Sequence, residues 1–110
     1  MRQGEIWEMY FDPTKGREQS GRRPAVIISG NLLNKYLDVV IVCPLTTSVK
    51  NYKGNVVLQP DSFNGLKQAS EILTFHIRSV SKDRLKKKIG AITRQQLDDI
   101  KLGLNDILRY

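Results

Sequence analysis

The sequence predicts a small, mainly β protein that ends in one α-helix. Short runs rich in β-branched and aromatic residues recur along the first 80 residues, and glycine, proline or asparagine separates them. The hydrophobic period changes to that of a helix only near the C-terminus. Several short strands with few helices favour a highly curved antiparallel sheet or a partly open barrel.

Five strands are predicted before this change of period. The first is rich in aromatic residues and ends at Asp12-Pro13, and the second is nearly all apolar and ends at Gly30. A short helical turn is predicted over residues 31–37. The strands are expected over residues 4–11, 24–29, 39–45, 55–59 and 69–80, the last as one long strand.

The C-terminal part is predicted to be a short basic turn followed by an amphipathic helix. Ser81 can cap a turn over residues 82–88, and Gly90 breaks it. Thr93 and Gln96 have the spacing of a capping box, which begins a helix. Apolar residues then recur at helical spacing, and their stripe can pack on the barrel or across a subunit interface: Leu97, Ile100, Leu104, Ile107 and Leu108.

Length and composition indicate one domain, residues 1–110, with a polyanionic partner. With 110 residues, of which 40% are hydrophobic, the chain can bury one core. The formal net charge of +7 favours nucleic acid as the partner, and a merely solubilising surface is the alternative. No apolar run approaches the roughly 20 residues of a membrane-spanning helix. Neither a signal peptide nor membrane association is therefore expected.

The single cysteine and the single histidine limit the possible chemistry. Cys43 cannot form an intrachain disulfide, which fits a reducing cytoplasm, and its apolar surroundings predict a buried structural thiol. His76 is usually structural or exposed at such a strand position. No metal-ligand spacing and no Gly-rich nucleotide loop is present, so neither a metal nor a cofactor is expected.

A long polar loop, residues 10–24, separates the first two strands. Compact domains rarely keep an irregular loop of this length without a use for it. The loop carries Glu18 and three arginines, Arg17, Arg22 and Arg23. Because arginine forks are the usual ligands of phosphate oxygens, the loop is predicted to handle phosphate at the mouth of the barrel.

Arg23 and Thr46 are predicted to meet at this mouth. Pro24 biases the backbone of Arg23 towards an extended form, and Thr46 ends the third strand. If strands two and three pair antiparallel, a cation and a hydroxyl lie together there and can bind a phosphate. The simpler alternatives are a surface arginine, and local backbone bonds for Thr46 and Thr47. Glu18 can orient Arg23 or pair with a loop arginine.

Basic and aromatic residues around the mouth are candidates for contact with nucleic acid. Lysine and arginine attract a phosphate backbone, and aromatic rings stack on unpaired bases. Tyr52 lies in the polar loop after the third strand and is a better stacking candidate than Trp7, which is expected in the core. The lysines 86–88 are expected to be a solvated face that can also help to bind RNA. The remaining candidates are Phe11, Lys15, Arg17, Lys50 and Lys53.

The two loops and their flanking strands resemble the MazF/PemK family of toxin endoribonucleases. The similarity extends in order through the fifth strand to the C-terminal helix, so it covers nearly the whole chain. A Glu-Gln pair, then Gly-x-Arg-Pro before an apolar strand, then a threonine ending the next strand is a specific combination. The matching segments are Phe11-Asp12-Pro13-Thr14-Lys15-Gly16, Glu18-Gln19, Gly21, Arg23-Pro24-Ala25-Val26 and Pro44-Leu45-Thr46-Thr47.

The resemblance implies a small SH3-like barrel of about five to seven antiparallel strands plus a C-terminal α-helix, assembled as a homodimer. It also implies metal-free cleavage of single-stranded RNA at short sequence motifs, and inhibition by an acidic antitoxin protein. The catalytic arginine and threonine of the family match Arg23 and Thr46, and Glu18 matches a glutamate near the same site. Lys50 and Phe11 match positions of substrate contact in some relatives. Relatives vary at the position of Arg22.

The implied chemistry suits these residues. Without a metal, the ribose 2′-hydroxyl must attack its own 3′-phosphate, which gives a 2′,3′-cyclic phosphate and a 5′-hydroxyl. Arg23 can stabilise charge at phosphorus but not transfer protons, because a guanidinium stays protonated. Thr46 can hydrogen-bond a non-bridging oxygen. Glu18 is expected to be the only nearby carboxylate that can take the 2′-hydroxyl proton.

Two other functions also fit the sequence. CcdB-type toxins resemble the same barrel but poison DNA gyrase through a C-terminal Trp-Gly-Ile tail, whereas this chain ends Ile107-Leu108-Arg109-Tyr110. A non-catalytic RNA-binding barrel explains the charge and the aromatic residues equally well. It does not require Arg23 and Thr46 together, so an activity assay distinguishes it from the enzyme.

Overall fold

A curved antiparallel sheet with a C-terminal helix is the framework of the computed structural model, which describes residues 1–10 and 21–110. The strands are β1 (Glu5–Tyr10), β2 (Arg22–Ile27), β3 (Val39–Thr46), β4 (Val56–Leu58), β5 (Ser70–Ile72), β6 (Arg78–Ser81) and β7 (Leu85–Ala91). The α-helices are α1 (Asn31–Tyr36) and α2 (Arg94–Arg109), and 3₁₀ turns span Thr74–His76 and Lys82–Arg84.

Strand β3 is the centre of the sheet. The strand order is β4-β5-β3-β2-β1-β7, with β6 also paired to β3, and every pairing is antiparallel. On the edge away from β2, residues 39–42 of β3 pair with β6, and Leu45 and Thr46 pair with β5. Because β3 pairs with both β6 and β5 along one edge, the sheet curves into a partial barrel. The predicted class, mainly β with a C-terminal helix, is confirmed.

The core consists of two clusters of buried side chains on opposite faces of the sheet. Along β2, Val26 belongs to one cluster, while Ala25 and Ile27 belong to the other. Neighbouring residues of a strand point to opposite faces, so the nearly continuous apolar sequence of β2 fills both sides. Leu97 and Ile100 of α2 cover the first cluster, which fixes the helix against the barrel.

The predicted start of α2 is confirmed in detail. The Thr93 hydroxyl accepts a hydrogen bond from the Gln96 amide at 3.1 Å, and the Gln96 side chain accepts one from the Thr93 amide at 2.8 Å. The predicted apolar stripe is only partly buried, however. Leu97 and Ile100 are buried and Leu104 is half-buried, whereas Ile107 and Leu108 are exposed.

The prediction of one long strand over residues 69–80 is wrong. The segment contains two short strands, β5 and β6, separated by the 3₁₀ turn Thr74–His76. The break lets the chain leave the C-terminal end of β3 and pair again with its N-terminal half. No glycine or proline marks the turn; hydrogen bonds from the Leu73 amide to Pro44 O and from the His76 amide to Leu73 O hold it instead.

The predicted basic turn over residues 82–88 is also wrong beyond its first three residues. Leu85–Ala91 is a strand that pairs with β1, and lysine is well tolerated there because β7 is an edge strand. The Ser81 side chain does not cap the turn that follows it.

Gly90 lies inside β7 because another segment of backbone crosses it. A Cβ atom at this position would lie 2.3 Å from the carbonyl oxygen of Asn64 and 2.6 Å from that of Phe63. We therefore expect Gly90→Ser to lower the free energy of unfolding, measured in urea, by about 3 kcal/mol, since the crossing backbone must move.

Gly30→Ser is the matched control for this substitution. No atom lies within 4 Å of a Cβ at Gly30, which is the N-cap of α1. Serine is a favourable N-cap residue, so this variant should remain within about 0.5 kcal/mol of the parent protein. Equal destabilisation by both substitutions would contradict the close crossing at Gly90.

Candidate functional site

The start of β2 and the end of β3 form the wall of a cavity of about 210 Å³. Ala25 pairs with Pro44 across these strands, and the antiparallel register, extended by two residues, sets Arg23 opposite Thr46. The structure thus brings together the two residues that the sequence placed at one mouth. The cavity is lined by Arg22, Arg23, Pro24, Leu45, Thr46, Thr47 and Ser70.

Arg23 and Thr46 reach this cavity in different ways. Arg23 is exposed at the start of β2, paired with Met9 of β1 and followed by Pro24. Thr46 is half-buried, and its hydroxyl oxygen accepts a hydrogen bond from the Ser48 amide at 3.1 Å. Because the oxygen is engaged as an acceptor, the hydroxyl proton can be donated to a ligand such as a phosphate oxygen.

The contacts of the Arg22 side chain hold it against β1, so it is less able than Arg23 to bind a phosphate in the cavity. Its guanidinium lies 3.2 Å from the Glu8 carboxylate and 5.3 Å from the centre of the Tyr10 ring. The hydrogen bonds to Tyr10 and Glu8 raise the pKa of Arg22 above its ordinary value. Arg22 therefore adds positive charge to the rim while its own geometry is fixed by β1.

A larger cleft of about 410 Å³ adjoins the Arg23–Thr46 cavity and shares Pro24, Thr47 and Ser70 with it. Lysines dominate its charged lining, and Glu8 is the carboxylate among them. Together the two cavities form a basic groove suited to a phosphodiester chain. The charged residues that line the cleft are Glu8, Lys67, Lys87 and Lys88.

This cleft was not predicted from the sequence. The lysines 86–88 are expected to form a solvated face that can also help to bind RNA, whereas Lys87 and Lys88 lie in β7 and line the cleft. Glu18, which is expected to be the only nearby carboxylate, lies outside the described residues, and a second carboxylate, Glu8, lines this cleft. A signal was available: Glu8 stands in a strand that was correctly predicted, and pairing that strand with β2 would have placed it here.

Of the predicted contact residues that the structure describes, Arg22 and Thr47 line the Arg23–Thr46 cavity, whereas Lys50 and Tyr52 do not. Tyr52 lies in a separate cavity of about 670 Å³ beside Phe75, with their ring centres 5.9 Å apart. Lys50 is exposed in the loop that follows Thr46, and its amide donates to Glu71. The predicted residues Phe11, Lys15, Arg17 and Glu18 lie outside the described part of the chain.

Neither Cys43 nor His76 contributes to the groove. Cys43 is buried in the core, and burial raises its pKa to about 12, so it is not a thiolate nucleophile at neutral pH. His76 is exposed in the turn after β5 and packs against Phe75. Within residues 1–10 and 21–110, no group of three or more His, Cys, Asp or Glu side chains could hold a metal ion. No described helix is both long and apolar enough to span a bilayer.

Comparisons with known proteins agree with this architecture. Residues 2–108 match the family model described as PemK-like, MazF-like toxin of type II toxin-antitoxin system. The chain is 34% identical to the endoribonuclease MazF of Staphylococcus saprophyticus, over 97% of this chain and 95% of that protein.

Solved structures give the same result. A crystal structure of MazF from Deinococcus radiodurans is 27% identical, with a TM-score of 0.80, and covers 100% of this chain and 97% of that chain. A MazE-MazF crystal structure from the same organism is 25% identical, with a TM-score of 0.81 and coverage of 98% and 95%. The family model matches nearly the whole chain, and the chain therefore belongs to the PemK-like, MazF-like toxins of type II toxin-antitoxin systems.

Proposed function

We propose that this chain is a sequence-specific endoribonuclease toxin that cleaves single-stranded RNA without a metal ion. The observation that carries the proposal is the cavity where Arg23 and Thr46 lie together beside a basic cleft. Membership of the family supports the toxin class, and relatives named endoribonuclease MazF support RNA as the substrate.

The reaction is a transesterification within the RNA. The ribose 2′-oxygen bonds to the adjacent phosphorus while the bond from phosphorus to the 5′-oxygen breaks. The 2′-hydroxyl loses a proton and the departing 5′-oxygen gains one, so the products are a 2′,3′-cyclic phosphate and a 5′-hydroxyl. The protein must stabilise the negative charge that develops at phosphorus and assist both proton transfers.

Arg23 and Thr46 divide the first of these tasks. The Arg23 guanidinium neutralises charge on the phosphate oxygens, and the Thr46 hydroxyl donates a hydrogen bond to a non-bridging oxygen. Glu18, which matches a glutamate near the same site in the family, is proposed as the general base. Glu8 is a second carboxylate candidate, because it lines the adjoining cleft, although its contact with Arg22 ties up one oxygen.

The RNA is expected to run from the cavity into the basic cleft. Thr47, which lines both cavities, contacts the backbone near the cleaved bond, and Arg22 contributes charge at the rim. Lys50 and Tyr52 act from the loop after β3, where Tyr52 offers a ring for base stacking. The polar loop supplies the remaining proposed contacts: Phe11, Lys15 and Arg17.

The functional form is proposed to be a cytoplasmic homodimer of one toxin domain, residues 1–110, inhibited by an acidic antitoxin. The net charge of +7 provides attraction for an acidic protein, and the related MazF from Deinococcus radiodurans has been solved with MazE. The exposed apolar residues Ile107, Leu108 and Tyr110 at the end of α2 are available for an interface between subunits.

The test is cleavage of a long single-stranded RNA in EDTA, with mapping of the cut ends. Discrete cuts with 5′-hydroxyl ends are expected, and Thr46→Val, which keeps the shape but removes the hydroxyl, should reduce their rate at least about tenfold. Salt-sensitive binding without cuts would indicate a non-catalytic RNA-binding barrel. If the protein neither binds nor cuts RNA, inhibition of DNA gyrase becomes the function to test.

A further inference from the structure

Glu71 is a carboxylate buried in the barrel wall. It lies in β5 with no exposed surface, between the buried residues Ser70 and Ile72. An ionised carboxylate is costly to bury unless hydrogen bonds replace the water that it loses. Its partners therefore indicate what this residue does in the molecule.

Within the described part of the chain, this carboxylate accepts four hydrogen bonds, and they all come from the loop after β3, residues 47–55. The amides of Lys50 and Asn51 donate to Oε1 at 2.8 Å each, and the amide of Tyr52 donates to Oε2 at 2.9 Å. The side-chain amide of Asn55 donates to Oε2 at 2.8 Å. Three successive backbone amides thus converge on one side chain, in the manner of an anion-binding nest.

The backbone of the loop is shaped for this convergence. Asn51 has a φ of 56°, in the left-handed region that asparagine adopts more readily than most residues. Burial alone would raise the pKa of Glu71, but the bonds from Asn55, Lys50, Asn51 and Tyr52 outweigh it and lower the pKa. Glu71 is therefore ionised at neutral pH and holds the loop through charged hydrogen bonds.

The same residue is the direct neighbour of Thr46. In the pairing of β3 with β5, Thr46 lies opposite Glu71. The loop that Glu71 holds begins immediately after Thr46 and contains Thr47, which lines the Arg23–Thr46 cavity. Tyr52, at the far end of the bonded segment, is half exposed beside Phe75. Glu71 therefore links the proposed catalytic threonine to the exposed part of the loop.

We propose that Glu71 is a positioning residue that fixes the loop 47–55 beside the catalytic cavity and so determines which nucleobases are accepted next to the cleaved bond. This inference rests on the proposed endoribonuclease function and deepens it. Glu71 is buried and does not touch the RNA. Its effect passes through the loop backbone, so it should change substrate selection and binding more than the chemical step.

The experiment uses Glu71→Gln in the full chain. Glutamine keeps the size of the side chain, but its amide nitrogen cannot accept a hydrogen bond. Because that nitrogen faces N–H donors of the loop, at least one hydrogen bond to the loop is lost. Cleavage is measured on short single-stranded RNAs that differ by one base around the preferred cut site. We expect KM to rise about tenfold at the preferred site, kcat to change by less than about threefold, and discrimination against single-base changes to fall about tenfold.

Two further variants separate positioning from simple loss of stability. Asn34→Asp replaces an amide by a carboxylate, the reverse of Glu71→Gln. Asn34 is buried near the opposite ends of β2 and β3, and its side-chain amide donates to the Ser29 carbonyl at 2.9 Å. It should lower stability but keep the base preference of the parent protein. Asn55→Ala removes only one of the bonds to Glu71 and should broaden the preference in the same direction, even if Glu71→Gln does not fold.

The outcomes are distinguishable. If the parent protein cuts RNA and the folded Glu71 and Asn55 variants keep its base preference and KM, the positioning role is wrong. If the parent protein cuts no RNA, the proposed function is wrong, and the positioning role, which depends on it, is wrong as well. A broadened preference in these variants, with the preference of Asn34→Asp unchanged, supports the assignment.

Discussion

Replacing Arg23 with alanine is expected to lower kcat for RNA cleavage by between about 100-fold and 1,000-fold, with the fold intact. The Arg23 guanidinium lies at the cavity that Thr46 also lines and, unlike that of Arg22, is not held by Glu8, and no water molecule can replace its fixed charge at the developing phosphorane. Because Arg23 is exposed, its loss should change the free energy of unfolding by less than about 0.5 kcal/mol. Single-turnover cleavage at saturating RNA, together with urea unfolding, measures both quantities.

Arg22→Ala is the matched control, since it removes the same charge from the neighbouring residue. The Arg22 guanidinium is held by Glu8 and Tyr10, so it should act on RNA attraction rather than on the chemical step. We expect its effect to appear in KM, to be larger at low salt than at high salt, and to leave kcat within about threefold. Equal losses of kcat in the two variants would show that general charge, not the position of Arg23, drives cleavage.

The meeting of Arg23 with Thr46 was predictable because it depends on local rules. A residue before proline is extended, and strands that follow one another in the sequence usually lie side by side; when they pair antiparallel, the start of one lies beside the end of the other. Neither rule needs the rest of the barrel. The same is true of the capping box at Thr93 and Gln96, which involves only residues three positions apart.

Glu8 and Glu71 were not predicted because their roles depend on pairings between distant parts of the chain. Glu8 reaches the cleft only through the register of β1 with β2 and β7. Glu71 lies beside Thr46 only because β5 pairs with the end of β3. The prediction of one long strand over residues 69–80 did not include that short pairing. A charged residue inside a predicted strand, such as Glu71 between Ser70 and Ile72, was the available sign that hydrogen-bond donors from elsewhere in the chain must satisfy it.

The stability of the protein is expected to fall steeply in acid because of two carboxylates with lowered pKa values. Burial alone would raise the pKa of Glu5, but hydrogen bonds from Trp7 and the Arg2 amide and the contact with Lys88 outweigh it and lower the pKa from 4.5 to about 2. The pKa of Glu71 is also lowered, by the bonds from its loop. Both side chains therefore bind protons more weakly in the folded state than in the unfolded state.

The sign of the effect follows from this order of pKa values. A carboxylate whose pKa is lowered on folding stabilises the fold fully above its unfolded pKa, and this contribution is lost as the pH falls towards the folded pKa. For Glu5 the window lies between pH 4.5 and about 2. The contribution of Glu5 corresponds to about 3 kcal/mol at neutral pH, of which about 2 kcal/mol is lost by pH 3.

Urea unfolding between pH 7 and pH 3 tests this expectation in Glu5→Gln, Glu71→Gln and the control Asp98→Asn. Asp98 is an exposed carboxylate of α2, so its variant corrects for the change in net charge. Glu5→Gln should be less stable than the parent protein at pH 7, yet lose less stability on acidification than Asp98→Asn does. Glu71→Gln should behave in the same way, because its loop bonds are already weakened at neutral pH. Parallel stability curves for all four proteins would mean that these two carboxylates do not control acid unfolding, and that other groups protonate first as the barrel opens.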